Sequence, residues 1–267
     1  FIDSFGDILF DHEANDTIAS YIRDRIRARV HDPATAELLA PRGYPYGTKR
    51  PPLETDYYEA YNRPNVDLVD VRSNPIDSVT ETGVRLADGT RLRFDVLIMA
   101  TGFDACTGPL LAMNITGRDG LALADHWADG PQTYLGLMSA GFPNLFMITG
   151  PQSPSVLYNM PLAIEDHVDF SAAAIEHVEA TGHSIIEPTR DAEREWVAHT
   201  NELAQATLLP DSPTSWYMGN NVPGKPKRVL VYLGGAPAYR AQCDEVVAAG
   251  YAGFAISDRA DRAFAQA

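Results

Sequence analysis

Apolar residues recur every fourth position along the first part of the chain, at Ile18, Ile22, Ile26 and Val30, with arginines on the opposite face. The spacing predicts an amphipathic helix over residues 14–30. Asp32-Pro33 predicts a second, short helix through Leu39, with Asp32 as N-cap and Pro33 in the first turn. Residues 41–52 are dense in Pro, Gly and Tyr, a composition of packed loops rather than flexible linkers. From Val66 the pattern turns to β. Strands are expected at 66–71 and 76–80, with a hairpin over 83–94 that turns at Ala87-Asp88-Gly89. Residues 94–100, apolar apart from Asp95, predict a strand buried on both faces, as in a parallel sheet. It stops at Thr101-Gly102, where a missing side chain allows a tight turn or close approach of a ligand. Dinucleotides bind at such strand ends in open α/β sheets, although an ordinary buried strand and turn fit Ala100-Thr-Gly102 equally well. Farther on, the pattern gives a short strand at 143–148, helices at 163–179 and 191–206, a strand at 229–233 entering Gly234-Gly235, and a helix at 238–248. The alternation is that of an α/β protein.

Composition narrows the function more than the fold. The 267 residues are 45% hydrophobic and 21% charged, the balance of a globular domain or two. A net charge of −15 argues against a general binder of nucleic acid or anionic membrane. A local basic pocket stays compatible with it. No apolar run approaches 18 residues, and no signal peptide opens the sequence, so a cytoplasmic location is the default expectation. Cys106 and Cys243 are the only cysteines, far apart, with neither a redox C-x-x-C nor zinc spacing. The chain opens at Phe1 in mid-pattern, which reads as a piece of something longer.

The motifs exclude before they include. No G-x-G-x-x-G occurs, so the chain carries no phosphate-binding first turn of a Rossmann unit. Gly219 to Lys225 matches G-x4-G-K, but Pro226 stands where a magnesium-binding hydroxyl belongs, and Pro223 removes an amide from the loop. No histidine pair has metal-ligand spacing and no G-x-S-x-G marks a hydrolase, so no metal is expected. Asp166 and His167, at a helix start, read as surface polar residues. Lys49-Arg50 follows Gly47-Thr48 and precedes Pro51-Pro52, in a stiff loop able to aim two cations at one anion; a solvated surface pair is the plainer reading. Trp216-Tyr217 lies among prolines and glycines, as substrate lids and core anchors both do.

Taken in order, several segments resemble one family. They are Gly47-Thr-Lys-Arg50, Tyr57-Tyr-Glu59, Tyr61-Asn-Arg63, residues 94–105 and Thr133-Tyr-Leu-Gly-Leu137. Gly141-Phe-Pro-Asn-Leu-Phe146, Gly150-Pro-Gln-Ser-Pro-Ser155, Asn159-Met160, Ser215-Trp-Tyr217, Asn221-Val-Pro-Gly-Lys-Pro226 and Tyr232-x-Gly-Gly235 continue the series. Together they resemble the C-terminal half of class B flavoprotein Baeyer–Villiger monooxygenases, the phenylacetone, steroid and cyclohexanone monooxygenases among them. The resemblance covers nearly the whole chain. It implies a partial, Rossmann-like α/β flavoprotein fold of two dinucleotide-binding domains with a helical insertion, the N-terminal halves missing. Residues 1–46 would be the end of the helical insertion, 47–95 the later part of the NADP domain and 96–267 the later part of the FAD domain.

The resemblance further implies the cofactors FAD and NADP(H), a small-molecule ketone and O2 as partners, and an ester or lactone as product. No nucleic acid, membrane or obligate protein partner is implied. Arg50 falls at the family's active-site arginine, which favours an anionic oxidant and the negative adduct that follows; such fixed charge is worth about 3–4 kcal/mol in comparable sites. Lys49 would contact the NADP ribose-phosphate. Thr101 and Gly102 would stand against cofactor, and Met160 against the flavin. Trp216 would ride a loop that closes over the nicotinamide and excludes water. Ser155, Val156 and Leu157 would border the substrate pocket. Two other readings compete: a flavin N- or S-oxygenase, which needs no arginine at position 50, and an inactive remnant acting only as a binding module.

Overall fold

The first helix forms where its period demands. In a computed structural model that describes residues 5–258, α1 spans His12–Arg29 and α2 spans Pro33–Leu39. Asp32 caps α2 as expected, its carboxylate accepting the Thr35 amide at 2.8 Å. Ile26, Val30 and Ala36 are buried together, with Ile22, Leu39 and Tyr58 packed against them. A one-turn helix, α3 (Tyr57–Ala60), closes this cluster. The end of α1 is tied down by Arg29, whose guanidinium meets Glu54 and Glu59 at 2.5 Å each. The hairpin also forms. Strands β1 (Ile76–Thr80), β2 (Gly83–Leu86) and β3 (Arg91–Arg93) make an antiparallel meander in which Val84 and Leu86 face inward.

Among the described residues, 5–8 and 12–103 form one compact unit, and 9–11 and 104–258 form another. The second unit carries two short helices, α4 (Gly108–Ala112) and α5 (Leu123–His126), then three long ones. These are α6 (Met160–Ala180), α7 (Arg190–Gln205) and α8 (Ala236–Ala248). Strand β4 (Ile185–Pro188), between α6 and α7, pairs with β5 (Phe254–Ser257), after α8, in a two-stranded antiparallel sheet the pattern did not predict. Helix α7 buries Ala192, Glu193, Trp196, Thr200 and Ala204. Trp196 stacks on Tyr232 with ring centroids 5.1 Å apart, and Phe170, Ala174, Val178 and Ile186 complete the core around them.

Four expected strands are absent as strands. Residues 66–71 run into turns closed by Val71 N–H to Val69 O and Asn74 N–H to Asp70 O. Residues 143–148 are broken by the left-handed Asn144, and their amides find partners one at a time, Met147 on Leu137 O and Asn144 on Ile186 O. Residues 229–233 form no strand: Val229 to Tyr232 are deeply buried, but they bond to loops and turns. The largest departure is at 94–100. This run is neither paired nor buried: Val96 is 73% exposed and Ile98 80%. A strand needs neighbours for its amides and carbonyls, and none of the described residues provides them beyond Phe94.

Candidate functional site

In the first unit the chemistry gathers on the loop after α2. Asn15, 2% exposed on α1, clamps that loop through both ends of its amide. Its Nδ2 donates to Tyr46 O at 2.9 Å and to Ile8 O at 2.7 Å, and its Oδ1 accepts the Tyr46 amide at 2.8 Å. Gly47 then takes a left-handed φ of 83°, and the fully buried Thr48 folds back, its hydroxyl donating to Pro45 O. This turn aims the next two side chains. Lys49 Nζ lies 4.3 Å from the centre of the Tyr44 ring, and Arg50 is exposed. Both line a cavity of about 710 Å³ that is also walled by Ile22, Arg25, Tyr44 and Tyr58. Burial, aided by the charge of Arg72, holds the Lys49 ammonium below its usual range. A desolvated cation beside other cations gains from an anion. That donor set fits the phosphate of a dinucleotide.

Thr101 and Gly102 are not part of this arrangement. They sit at the end of the exposed run, with Gly102 at φ 94° and open space where a Cβ would be. The strand end expected to hold a ligand therefore has no sheet behind it among the described residues.

The second unit builds its candidate site from a strained loop. Thr149, Gln152 and Ser155, none of them glycine, adopt φ values of 53°, 67° and 45°. Such left-handed residues persist only where the surroundings over-determine them, and they cluster at functional sites. Here the surroundings do so. Gln152 N–H donates to Leu230 O at 2.9 Å, and Trp196 Nε1 donates to Gln152 O at 3.2 Å. The Gln152 side chain accepts from Thr133 Oγ1 at 2.7 Å and donates to Pro131 O at 3.1 Å. Tyr232 N–H donates to Ser153 O at 2.8 Å. Gly136, at φ 67°, lets the 133–137 turn lie directly on this loop, because a Cβ there would stand 2.5 Å from Ser153 N.

The predicted residues of this unit fall around the loop's exit. Ser155 is buried and Leu157 is 43% exposed; the Val156 side chain lies outside what the structure describes. Met160 opens α6, half-buried, behind the N-cap Asn159. Trp216 is half-buried in a short 3-10 turn and meets the Tyr217 ring edge-on at 4.4 Å, while Tyr217 itself is a core residue. The two aromatics thus divide the roles, Tyr217 anchoring and Trp216 at the margin. Lys225 forms an ion pair with Asp104, so the G-x4-G-K lysine is engaged by a carboxylate.

His167 corrects the surface reading given to it. It is 1% exposed, and its Nδ1 accepts the Thr149 amide at 2.8 Å. Its Nε2 contacts Tyr239 Oη at 2.8 Å, and that hydroxyl donates to Leu135 O at 2.7 Å. Burial pushes the imidazole down to about 4, the nearby Met147 carbonyl offsetting only part of the effect. A signal was present in the sequence. Ala163, His167, Phe170, Ala174 and Val178 follow the 3–4 spacing of one helix face, and all five are buried.

No protein-family model matches the chain. Among curated proteins it is 48% identical over 255 residues to an acetone monooxygenase (methyl acetate-forming) of Gordonia sp. strain TY-5, covering 95% of this chain and 48% of the relative. It is 43% identical to a phenazine N-monooxygenase of Lysobacter antibioticus, over 95% of this chain and 46% of that one. A Baeyer–Villiger monooxygenase of Pseudooceanicola batsensis is 41% identical over 96% of this chain and 46% of its own. Solved structures agree. A steroid monooxygenase bound to NADP superposes with a TM-score of 0.88 at 46% identity, over 96% of this chain and 47% of that one. A closed cyclohexanone monooxygenase gives 0.90 at 45% identity, over 95% and 47%. The chain spans about half the length of the curated relatives it matches. In sequence and in fold, then, it is the counterpart of the C-terminal half of the Baeyer–Villiger monooxygenases.

Proposed function

We propose that the protein carrying this chain is a cytoplasmic, FAD- and NADPH-dependent monooxygenase that uses O2 to turn a small ketone into an ester or lactone. The observation that carries this reading is the Asn15-clamped loop, which sets Lys49 and Arg50 on one cavity in a chain otherwise strongly acidic. Bound FAD, reduced by NADPH, supplies the activation of O2. Lys49 binds the ribose-phosphate of NADP(H). Arg50 offers a fixed, permanently charged fork to the negative charge that grows on the ketone oxygen as oxygen is inserted. Among the described residues no carboxylate pairs with it, which leaves the fork available.

Ser155, Val156 and Leu157 border the ketone, Met160 contacts the flavin, and Trp216 helps exclude water from the nicotinamide end. Thr101 and Gly102 take their cofactor role once residues 94–100 are paired in a sheet. On this reading residues 1–46 end the helical insertion, 47–95 belong to the NADP domain and 96–267 to the FAD domain. The glycine fingerprints belong to the half of the relatives' length this chain does not span.

A second reading, a flavin N-oxygenase, is favoured by the similarity to the phenazine N-monooxygenase. The two separate in one experiment. The full-length protein with NADPH and O2 is offered a ketone and an N-heteroaromatic in competition, and products are identified by mass spectrometry. Ester or lactone supports the first reading, N-oxide alone the second. A full-length protein that binds no flavin and forms neither product contradicts both.

A further inference from the structure

We propose that His167 is a positioning residue for the 149–155 loop, fixing through the Thr149 amide where Ser155 and Leu157 stand and so how the ketone is held. The inference rests on the reading that this loop borders the substrate. The hydrogen bonds run in one direction. Thr149 N–H donates to Nδ1, which requires a lone pair there and places the ring proton on Nε2. Nε2–H then donates to Tyr239 Oη, and Tyr239 O–H donates to Leu135 O. Every member of this chain has a defined partner. Its two ends lie on the two turns that Gly136 and Gly150 allow to touch, since a Cβ on Gly150 would strike the Gly136 carbonyl.

Position 149 is also where the strain begins. A threonine at φ 53° is disfavoured by its β-branch, and its amide must be captured for the turn to persist. Helix α6 performs the capture with a side chain about two turns inside its start, and the same helix begins with Met160. The loop that exits at Ser155 and the helix that follows it are therefore locked to each other by His167, not merely joined in sequence. Removing that lock frees the loop without touching any group that meets the reacting atoms.

Amide isosteres separate the two halves of the imidazole. His167→Asn keeps an acceptor at the Nδ1 position, whereas His167→Gln keeps a partner for Tyr239 and loses the Thr149 bond. Tyr239→Phe destabilises the same network and leaves the Thr149 bond intact. In the full-length holoenzyme, hydrogen exchange of the segment 147–155 and ketone kinetics are measured for all three. The expected result for His167→Gln is at least tenfold faster exchange and at least a tenfold rise in ketone KM, with NADPH oxidation preserved. His167→Asn and Tyr239→Phe should stay within about threefold of wild type in both. Unchanged exchange in His167→Gln overturns the proposal itself. Faster exchange with an unchanged ketone KM overturns instead the reading that the loop borders the substrate. Should His167→Gln fail to fold, Tyr239→Phe still decides, because a raised KM there would mean that the network acts through Leu135 rather than Thr149.

Discussion

Two apolar runs of nearly the same composition meet opposite fates in this chain. Val229, Leu230, Val231 and Tyr232 are 0–3% exposed, while Val96, Leu97, Ile98 and Met99 are 45–80% exposed. Neither is a regular strand. The first is buried because its own unit supplies partners: Leu230 N–H bonds Tyr217 O, its carbonyl takes the Gln152 amide, and Tyr232 N–H bonds Ser153 O. The second has no such neighbours among the described residues. The difference teaches that apolarity states a demand for burial and does not say which part of the chain will meet it. A contiguous exposed run of this kind marks an interaction surface, and relatives of twice the length carry the additional chain.

The comparison breaks most visibly at Gly136. Gly136→Val places a β-branched residue at φ 67° against the Ser153 backbone, and should cost more than about 4 kcal/mol, enough to prevent folding of the second unit. Loss of the cooperative urea transition would register it. Trp196→Ala removes the ring stacked on Tyr232 and should cost about 3–5 kcal/mol by the same measurement.

Acid probes the packed region through His167. Its imidazole titrates near 4 in the fold against an ordinary 6.5, so the unfolded chain binds the extra proton between those values. Stability from this group is therefore complete above about pH 6.5 and falls as pH drops toward 4, by about 3 kcal/mol in all. Unfolding free energies from urea titrations at pH 4 and pH 7 should differ by that much more in wild type than in His167→Gln, which cannot titrate there. The exposed run should give the smallest effect. Ile98→Thr should change the stability of this chain by less than about 0.5 kcal/mol. In the full-length protein, where the run is expected to be an interior strand, it should cost about 1–3 kcal/mol.

Much of the fold was legible in the sequence for reasons that are local. Helix α1 follows from the four-residue spacing of its isoleucines, α2 from Asp32-Pro33, and the β2–β3 hairpin from Asp88-Gly89. The four failed strands share a different cause. A short apolar run has the same appearance whether its amides meet a strand, a set of loops or nothing, and only distant chain decides. The same holds for β4 and β5, whose partners lie some 70 residues apart. At the site, Lys49 and Arg50 stood out because two cations in a Pro- and Gly-rich loop are unusual in an acidic chain. Asn15 and His167 did not, because each is a single polar residue in a helix, and its importance lies in the backbone it captures from elsewhere. The strained φ values at Thr149, Gln152 and Ser155 were likewise invisible, since none is a glycine.

In the proposed reaction Arg50, aimed by the clamped loop, stabilises the negative charge of ketone oxygenation. The most direct test of that role is Arg50→Ala in the full-length holoenzyme, with NADPH oxidation and product formation followed separately. NADPH should still be consumed while ester or lactone formation falls by at least about a hundredfold. Ester formation at the wild-type rate would contradict that role.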